Sequence, residues 1–358
     1  MKKYIYIAEQ LIKKSQSTKA KLPTESSIMN SYSVSRQTVR KALSYLRERG
    51  FIVSIQGSGS YLTGISLDPC KNVIPALLSS ETDYIYPKII QTLKEQLADN
   101  GYTLKPYFTQ SSTNSERHIL EDLLKEKPRA IIIECCKSAL PNPNSDLYLA
   151  FDKLGTKLIF MHNQYPRLNL GICIKDDNYY GGYMLATHLI QQGHTHIAGL
   201  FQIDELQGLE RYHGFMCCMR DYKIPVNDTQ IGWFHTTHML RLRAHNDTRF
   251  ISEWVQASLL HCSSVICYND EIAYFVLKEL KHLNLQVPDQ KSIVSFDNSY
   301  LCELTDIQLT SLSHAEGEIP KTTVKLLIEQ LKGLPVSSQE VPWKLISRKS
   351  VAVPTILE

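Results

Sequence analysis

The run Arg36-Gln37-Thr38, with Arg40 and Lys41 just beyond it, gathers side chains suited to nucleic acid. An arginine fork matches guanine O6 and N7, a glutamine amide matches adenine N6 and N7, and lysine serves phosphates. Downstream, Gln56-Gly57-Ser58-Gly59 is short, polar and glycine-rich, so its backbone can approach another surface closely. Thr38 and Ser58 suit phosphate oxygens equally well. A second polar set follows short apolar runs later in the chain. Glu134 and Lys137 come after residues 130–133, His162 after 157–160, Asn269 after 264–267 and Asp297 after 292–296. Groups of this kind bond adjacent hydroxyls of a polyol, and Tyr86 and Tyr268 offer aromatic faces for its C–H surface. Plainer alternatives stand beside these: Asp297 and Asp177 as helix caps, Tyr268 as ordinary core.

The first set needs a helix. Val39, Leu43 and Leu46 recur at spacings of four and three while Arg36, Arg40, Lys41 and Arg47 point elsewhere, which predicts an amphipathic helix. Ser35 is its natural N-cap, and Gly50 suits the position after its basic last turn. Pro23-Thr24-Glu25 starts an earlier helix that runs to Asn30 and stops at the turn Ser31-Tyr32-Ser33. Residues 51–55 and 60–62 read as strands joined by the 56–59 tip. Helix, turn, basic helix and hairpin make a winged helix-turn-helix, an α+β head for the major groove of double-stranded DNA. Charge agrees with this. Residues 1–63 hold 11 Lys or Arg against 3 Asp or Glu, whereas the other 295 hold 28 against 33. A merely solvated surface would intersperse the signs; a basic head on an acidic body suits phosphate binding by the head alone.

At 358 residues the chain exceeds one small domain, and 43% hydrophobic content with dispersed glycine and proline indicates ordered globular structure. From Val73 onward apolar strands alternate with helices: strands at 102–104, 130–133, 157–160, 197–200, 264–267 and 292–296, helices at 86–100, 116–125, 181–192 and 271–284. That is a parallel-sheet α/β pattern, with ligands expected at the carboxyl ends of strands. The expected partition is a head over 1–63, a linker over 64–72 and a body over 73–358. The nine cysteines include no CxxC, so free thiols in a reducing cytoplasm are expected. Met1-Lys2-Lys3 is basic, but Glu9 and Gln10 interrupt the segment behind it and no small-residue cleavage site follows, so no secretory leader is expected. No apolar run reaches the ~18 residues that a membrane span needs. Neither GxGxxG after a strand, a phosphate loop nor a nucleophile elbow occurs, which disfavours nucleotide-dependent and hydrolytic enzymes. His188, His194 and His196 lie close enough in sequence to raise a metal site.

The residues from Leu22 to Leu62, with the landmarks "LPTE", "VSR", "TVR" and "QGSG", resemble the DNA-binding domain of the GntR family. The resemblance implies that Glu25, Arg36, Gln37 and Arg40 face base edges and phosphates and that the 56–59 tip enters the adjacent minor groove. "DDNYYGGYMLATHLIQQGHTHIAGL", "RYHGF", "CYNDEIAYFVLKEL" and "VPDQKSIVSFDNS", in that order, resemble the LacI/GalR regulators. That resemblance implies a two-lobed body like a periplasmic sugar-binding protein, with crossovers near Asp176, Ser311 and Leu334 and a sugar between the lobes. It assigns Arg211, Asn269 and Asp297 to the pocket, adds His314 and Asp177 as further candidates, and implies a homodimer. It reads "GHTHIA" as a structural strand start, leaving no metal and no cofactor. The pairing of the two halves, with "YIYPKIIQTLKEQLADNGYTL" and "IIIECCKSALPNPN", is similar to arabinose-responsive repressors. It implies operator DNA as partner, L-arabinose as effector and a cytoplasmic, nucleoid-associated site of action. The alternatives are a regulator of the same build responding to another sugar, and a sugar-binding enzyme. An importer binding protein would need a leader and no basic head.

Overall fold

The computed structural model describes residues 2–13, 20–55, 57–63, 72–304, 307–315 and 317–354. Its first helices are α1 (Lys3–Lys13), α2 (Glu25–Tyr32) and α3 (Arg36–Glu48), followed by the antiparallel hairpin of β1 (Ile52–Ile55) and β2 (Gly59–Leu62). The apolar stripe read at Val39, Leu43 and Leu46 is buried against Ile7, Leu11, Ile28, Ile52 and Leu62 in one small core. Thr24 caps α2 and Ser35 caps α3, each accepting the N–H three residues on, and Ser33 turns the chain between them with φ 48°. This is the winged helix-turn-helix. Gln56 and the linker residues 64–71 lie outside the described residues.

The body begins with β3 (Val73–Leu78), α4 (Tyr86–Asp99), β4 (Thr103–Phe108), α5 (Thr113–Glu126), β5 (Ala130–Ile133), α6 (Ser145–Lys153), β6 (Lys157–Met161) and β7 (Ile172–Asp176). It continues through α7 (Asn178–Gln191), β8 (Ile197–Gln202), α8 (Leu206–Asp221), β9 (Ile231–Phe234), α9 (Thr236–His245) and α10 (Arg249–Ala257). Next come β10 (Ser264–Cys267), α11 (Asp270–His282), β11 (Ser292–Phe296) and β12 (Thr310–Ser313). The last elements are α12 (Glu318–Leu331), β13 (Gln339–Val341) and β14 (Lys344–Ile346). Two six-stranded sheets result, in the orders β13-β7-β6-β5-β3-β4 and β14-β12-β11-β10-β8-β9. Every neighbouring pair is parallel except β12 with β14. The apolar runs of β5, β8, β10 and β11 are buried along their whole length, as strands covered on both faces must be.

Each sheet with its helices is a lobe, and the chain passes between them three times. The first passage lies at Asp176–Asn178. The second follows β12 at His314, close to Ser311, which itself sits inside β12 and donates its hydroxyl to Asp270 at 2.7 Å. The third lies at Pro342-Trp343, not near Leu334. Gly333 (φ 69°) and Leu334 do break the chain, but what they end is α12; residues 339–341 then add β13 to the first sheet before crossing.

Helices α7 and α8 touch backbone to backbone. A Cβ on Gly214 would lie 1.8 Å from the Tyr179 carbonyl, and one on Gly182 2.0 Å from that of Arg211, so neither position tolerates a side chain. This contact locks α8, and with it Arg211, against the second sheet. Of the three histidines that raised a metal site, His194 uses both ring nitrogens on Ser263 Oγ (2.8 Å) and the Ala352 carbonyl (3.0 Å), tying a strand start to the chain's last segment. Among the described residues no helix is long and apolar enough to cross a membrane.

Candidate functional site

Two surfaces bring the predicted residues together. On the head, α3 buries Val39, Leu43 and Leu46 and leaves Arg36, Gln37, Arg40 and Lys41 exposed on the other side. Glu25, from α2, accepts from Arg36 Nε at 2.9 Å and Arg40 Nε at 3.4 Å. The bond from Arg36 above all holds its carboxyl below the usual carboxylate range. Both arginines are about two-thirds exposed, so these pairs contribute little stability; what they do is orient two guanidinium groups side by side. Ser35 is occupied as the cap of α3, and its hydroxyl lies 3.0 Å from that of Thr38. On the wing, Gly57 (φ 75°) and Gly59 (φ 119°) turn the tip, and Ser58 Oγ lies 2.6 Å from the Tyr61 hydroxyl. Arg47 straps α3 to the wing by donating to Ser54 Oγ at 3.0 Å.

The second surface is a cleft of about 1030 Å³, partly continuous with solvent, at the carboxyl ends of the strands of both lobes. Glu134 and His162 enter from the first lobe, Arg211, Tyr268, Asn269 and Asp297 from the second, and Tyr86 and His314 complete the set. Glu134 accepts from the Ser79 N–H (2.8 Å) and the Tyr86 hydroxyl (2.7 Å). Arg211 is almost fully buried: Nε donates to Asn178 Oδ1 (3.0 Å), Nη1 to the Tyr268 carbonyl (2.5 Å), and Nη2 lies 3.7 Å from Asp297 Oδ1. Its guanidinium also stacks over the Phe296 ring at 4.1 Å. Asn269 caps α11 through the Ile272 N–H (3.0 Å) while still lining the cleft. Tyr268 serves both readings at once, packing edge-on against Phe234 and presenting its hydroxyl to Gln207 at 3.3 Å.

Two predicted residues fall outside the cleft lining. Asp177 caps α7, accepting the Tyr180 N–H at 3.0 Å, and its neighbour Asp176, the last residue of β7, lines the cleft instead. Lys137 adopts φ 51° and contributes its backbone N–H, not its side chain, to Glu205 at 2.9 Å. Glu205 is missing from the sequence reading of the cleft, as are Tyr84, Gln207 and Arg243, and Asp176 enters that reading only as a crossover. Glu205 joins the lobes, accepting from Ser138 Oγ (2.6 Å), Ser138 N–H (3.1 Å) and Asn163 Nδ2 (3.2 Å), and burial pushes its carboxyl up to about 8. Tyr84 donates to Asp297 at 3.0 Å, while Arg243 pairs with Glu271 (2.6 Å) and approaches Asp83 (3.6 Å). Applying the strand-end rule to β7 and β8 as well would have pointed at Asp176, Glu205 and Gln207.

The cleft is rich in acceptors. Glu134, Asp176 and Asp297 face it, with Glu205 as a carboxyl that burial keeps largely protonated at neutral pH, while Arg211 and Arg243 are both already paired. Such a lining suits a neutral ligand that donates hydrogen bonds, and it holds no free cation, among the described residues, for a phosphate group. Burial pushes the Asp297 carboxyl up to about 6, against the lowering effect of Arg211. Above that value it is a carboxylate that accepts; below it, the proton removes an acceptor and weakens the pairing with Arg211. As Asp297 titrates, ligand affinity should therefore fall as pH drops through about 6, by at most about tenfold per unit, separately from any step that Glu205 adds near 8. Calorimetric titration across pH 5 to 8, with the step near 6 missing in Asp297→Asn, checks the assignment.

Residues 4–62 match the model of the bacterial regulatory proteins of the gntR family, and residues 186–351 match that of the periplasmic binding protein-like domain. The chain is 32% identical to the arabinose metabolism transcriptional repressor of Geobacillus stearothermophilus, over 87% of this chain and 85% of that one. It is 30% identical to the protein so named from Halalkalibacterium halodurans, over 86% and 82%. The body shares the fold of a periplasmic binding protein/LacI transcriptional regulator from Alkaliphilus metalliredigens solved with D-xylulofuranose, at a TM-score of 0.63 and 23% identity. That likeness covers 78% of this chain and 99% of the other.

Proposed function

This chain belongs to the family of gntR-headed transcription regulators that includes the arabinose metabolism repressors, and on that premise we propose that a free sugar, L-arabinose, releases it from operator DNA. It is a regulator and not an enzyme: it carries a gntR head, and the relatives it matches along most of its length are named as repressors. The observation that carries the effector reading is the acceptor-rich cleft whose two arginines are both ion-paired, which favours an unphosphorylated polyol over a sugar phosphate. In this reading Arg211, Asp297, Asn269, Glu134 and His162 hold sugar hydroxyls while Tyr86 and Tyr268 cover its apolar surface. On the head, Arg36, Gln37 and Arg40 read bases, Lys41 and Thr38 hold phosphates, and the wing tip enters the minor groove. One head covers too short a site for high specificity, so the working form is a homodimer on paired half-sites in the cytoplasm.

One titration series tests this. Operator affinity is measured with and without saturating L-arabinose, on DNA carrying one half-site or two. Paired half-sites should bind far more tightly than single ones, and L-arabinose should weaken binding by about 5–150-fold. By linkage, operator DNA must weaken sugar binding by the same factor. Equal affinity for one and two half-sites would remove the dimer. A response to another free sugar but not to L-arabinose would correct the effector and keep the mechanism.

A further inference from the structure

Rigid lobes can reorient only through the segments that cross between them, and in this chain all three crossings meet at one cluster. Asp176, in the first crossing, is buried, and its Oδ1 lies 2.5 Å from Nε2 of His314, in the second. The His314 ring in turn stacks on the indole of Trp343, in the third, with centroids 4.2 Å apart and planes 23° from parallel. The other Asp176 oxygen faces His162 Nδ1 at 3.7 Å and accepts from Gln207 Nε2 at 3.2 Å. Burial alone would push the Asp176 carboxyl up, but the two imidazoles hold it far below its ordinary range, as a carboxylate.

His162 connects this cluster to the cleft. It takes φ 69°, a conformation that a β-branched or bulky side chain rarely adopts, and its N–H bonds the Ile174 carbonyl of β7 at 2.8 Å. Its ring therefore lies beside Asp176, and both residues line the cleft. Nε2 is buried with no hydrogen-bond partner among the described residues, in a side chain that lines the cleft, so it is an unsatisfied polar atom at the cleft wall. Trp343 reaches the other wall: it packs edge-on against Phe296, whose face carries the Arg211 guanidinium.

We propose that Asp176, His314 and Trp343 form a hinge relay that conveys cleft occupancy, sensed at His162, to the three crossings and so sets the coupling between sugar and operator DNA. His314 is thereby a positioning residue of the hinge instead of a sugar ligand. The proposal rests on the reading of the cleft as the sugar site. Its logic is geometric. Each crossing supplies one member, so any rotation of one lobe on the other must lengthen the Asp176–His314 pair or slide the His314–Trp343 stack. Occupancy of the cleft, by fixing His162, changes how freely that pair can break.

The test uses the full-length protein with His314→Gln, which retains a donor near Asp176 but loses the ring, and Trp343→Phe, which keeps an aromatic of smaller area. Three quantities are read: operator affinity without sugar, sugar affinity by calorimetry, and the ratio of operator affinities without and with saturating sugar. In both variants that ratio should fall by about tenfold. Operator affinity without sugar should stay within about threefold, and for Trp343→Phe, which lies outside the cleft lining, so should sugar affinity. Thermal melts establish that each variant folds; if His314→Gln does not, Trp343→Phe decides. Full coupling in the folded variants overturns the relay, as does a loss of coupling matched by an equal loss of sugar affinity. A wild-type protein unresponsive to every free sugar overturns the functional reading beneath it, whereas a responsive wild type with equally responsive variants overturns the relay alone.

Discussion

Arg211→Ala should abolish the sugar response and destabilise the body by about 3–5 kcal/mol, the usual cost of removing one partner of a buried charge pair. The size follows from what the guanidinium holds. Its loss leaves Asn178 Oδ1 and the Tyr268 carbonyl without this donor, deprives Asp297 of its ion-pair partner and removes the plate that covers Phe296. Asp297, whose carboxyl burial already pushes up to about 6, would lose the guanidinium that lowers it and rise further. Lysine should not rescue, because a single ammonium cannot meet three acceptors fixed by a planar fork. Asp297→Asn is the milder companion. It keeps size and an acceptor for the Tyr84 hydroxyl, so the response should weaken with little change in melting temperature. Thermal unfolding with and without sugar, read beside operator binding, separates the two expectations. An Arg211→Ala protein that melts like the wild type would show that the arginine is a ligand only, and not also a strut of the second lobe.

This dual role marks the limit of what sequence alone conveys. The alternation of apolar strands and helices located β5, β10 and β11 almost to the residue, because strands buried on both faces must be continuously apolar. The stripe at Val39, Leu43 and Leu46 and the cap Ser35 located α3 for the same local reasons. Polar residues just after such strands, Glu134, His162, Asn269 and Asp297, do meet in one cleft, since parallel topology brings all those ends to one side. The misses have a common cause. Whether Asp176 or Asp177 faces the cleft depends on where β7 ends and α7 begins, and one residue reverses the direction of a side chain. Lys137 is not part of the cleft lining: its backbone turns left-handed and gives its N–H to Glu205, a partner 68 residues on in the opposite lobe. Leu334 follows a true chain break, but a break in a helix does not say which sheet the next strand will join. Interlobe partners such as Tyr84 with Asp297 carry no local periodicity at all.

On the head, Arg36→Ala and Arg40→Ala should each weaken operator binding by about 1–3 kcal/mol and relax the preference at one base pair per half-site. Lys41→Ala should weaken every sequence alike and flatten the dependence on salt, because a phosphate contact carries no base information. Glu25 adds an expectation that the arginines by themselves do not. Its carboxylate lies between both guanidinium groups, at 2.9 Å and 3.4 Å, which aligns them but sets a negative charge where DNA phosphates approach. Glu25→Ala should therefore raise affinity for scrambled DNA while lowering the ratio of operator to scrambled binding, an opposite movement of two quantities measured in one experiment. The pairs themselves are exposed, so the head should keep its melting temperature through this substitution. Measured over a range of salt, the specificity ratio is the deciding quantity, since absolute affinity mixes base reading with counterion release. If Arg36→Ala and Arg40→Ala both keep the full ratio, α3 is not the element that reads the operator. If Glu25→Ala leaves the ratio untouched while they do not, the arginines read bases without needing the carboxylate to align them.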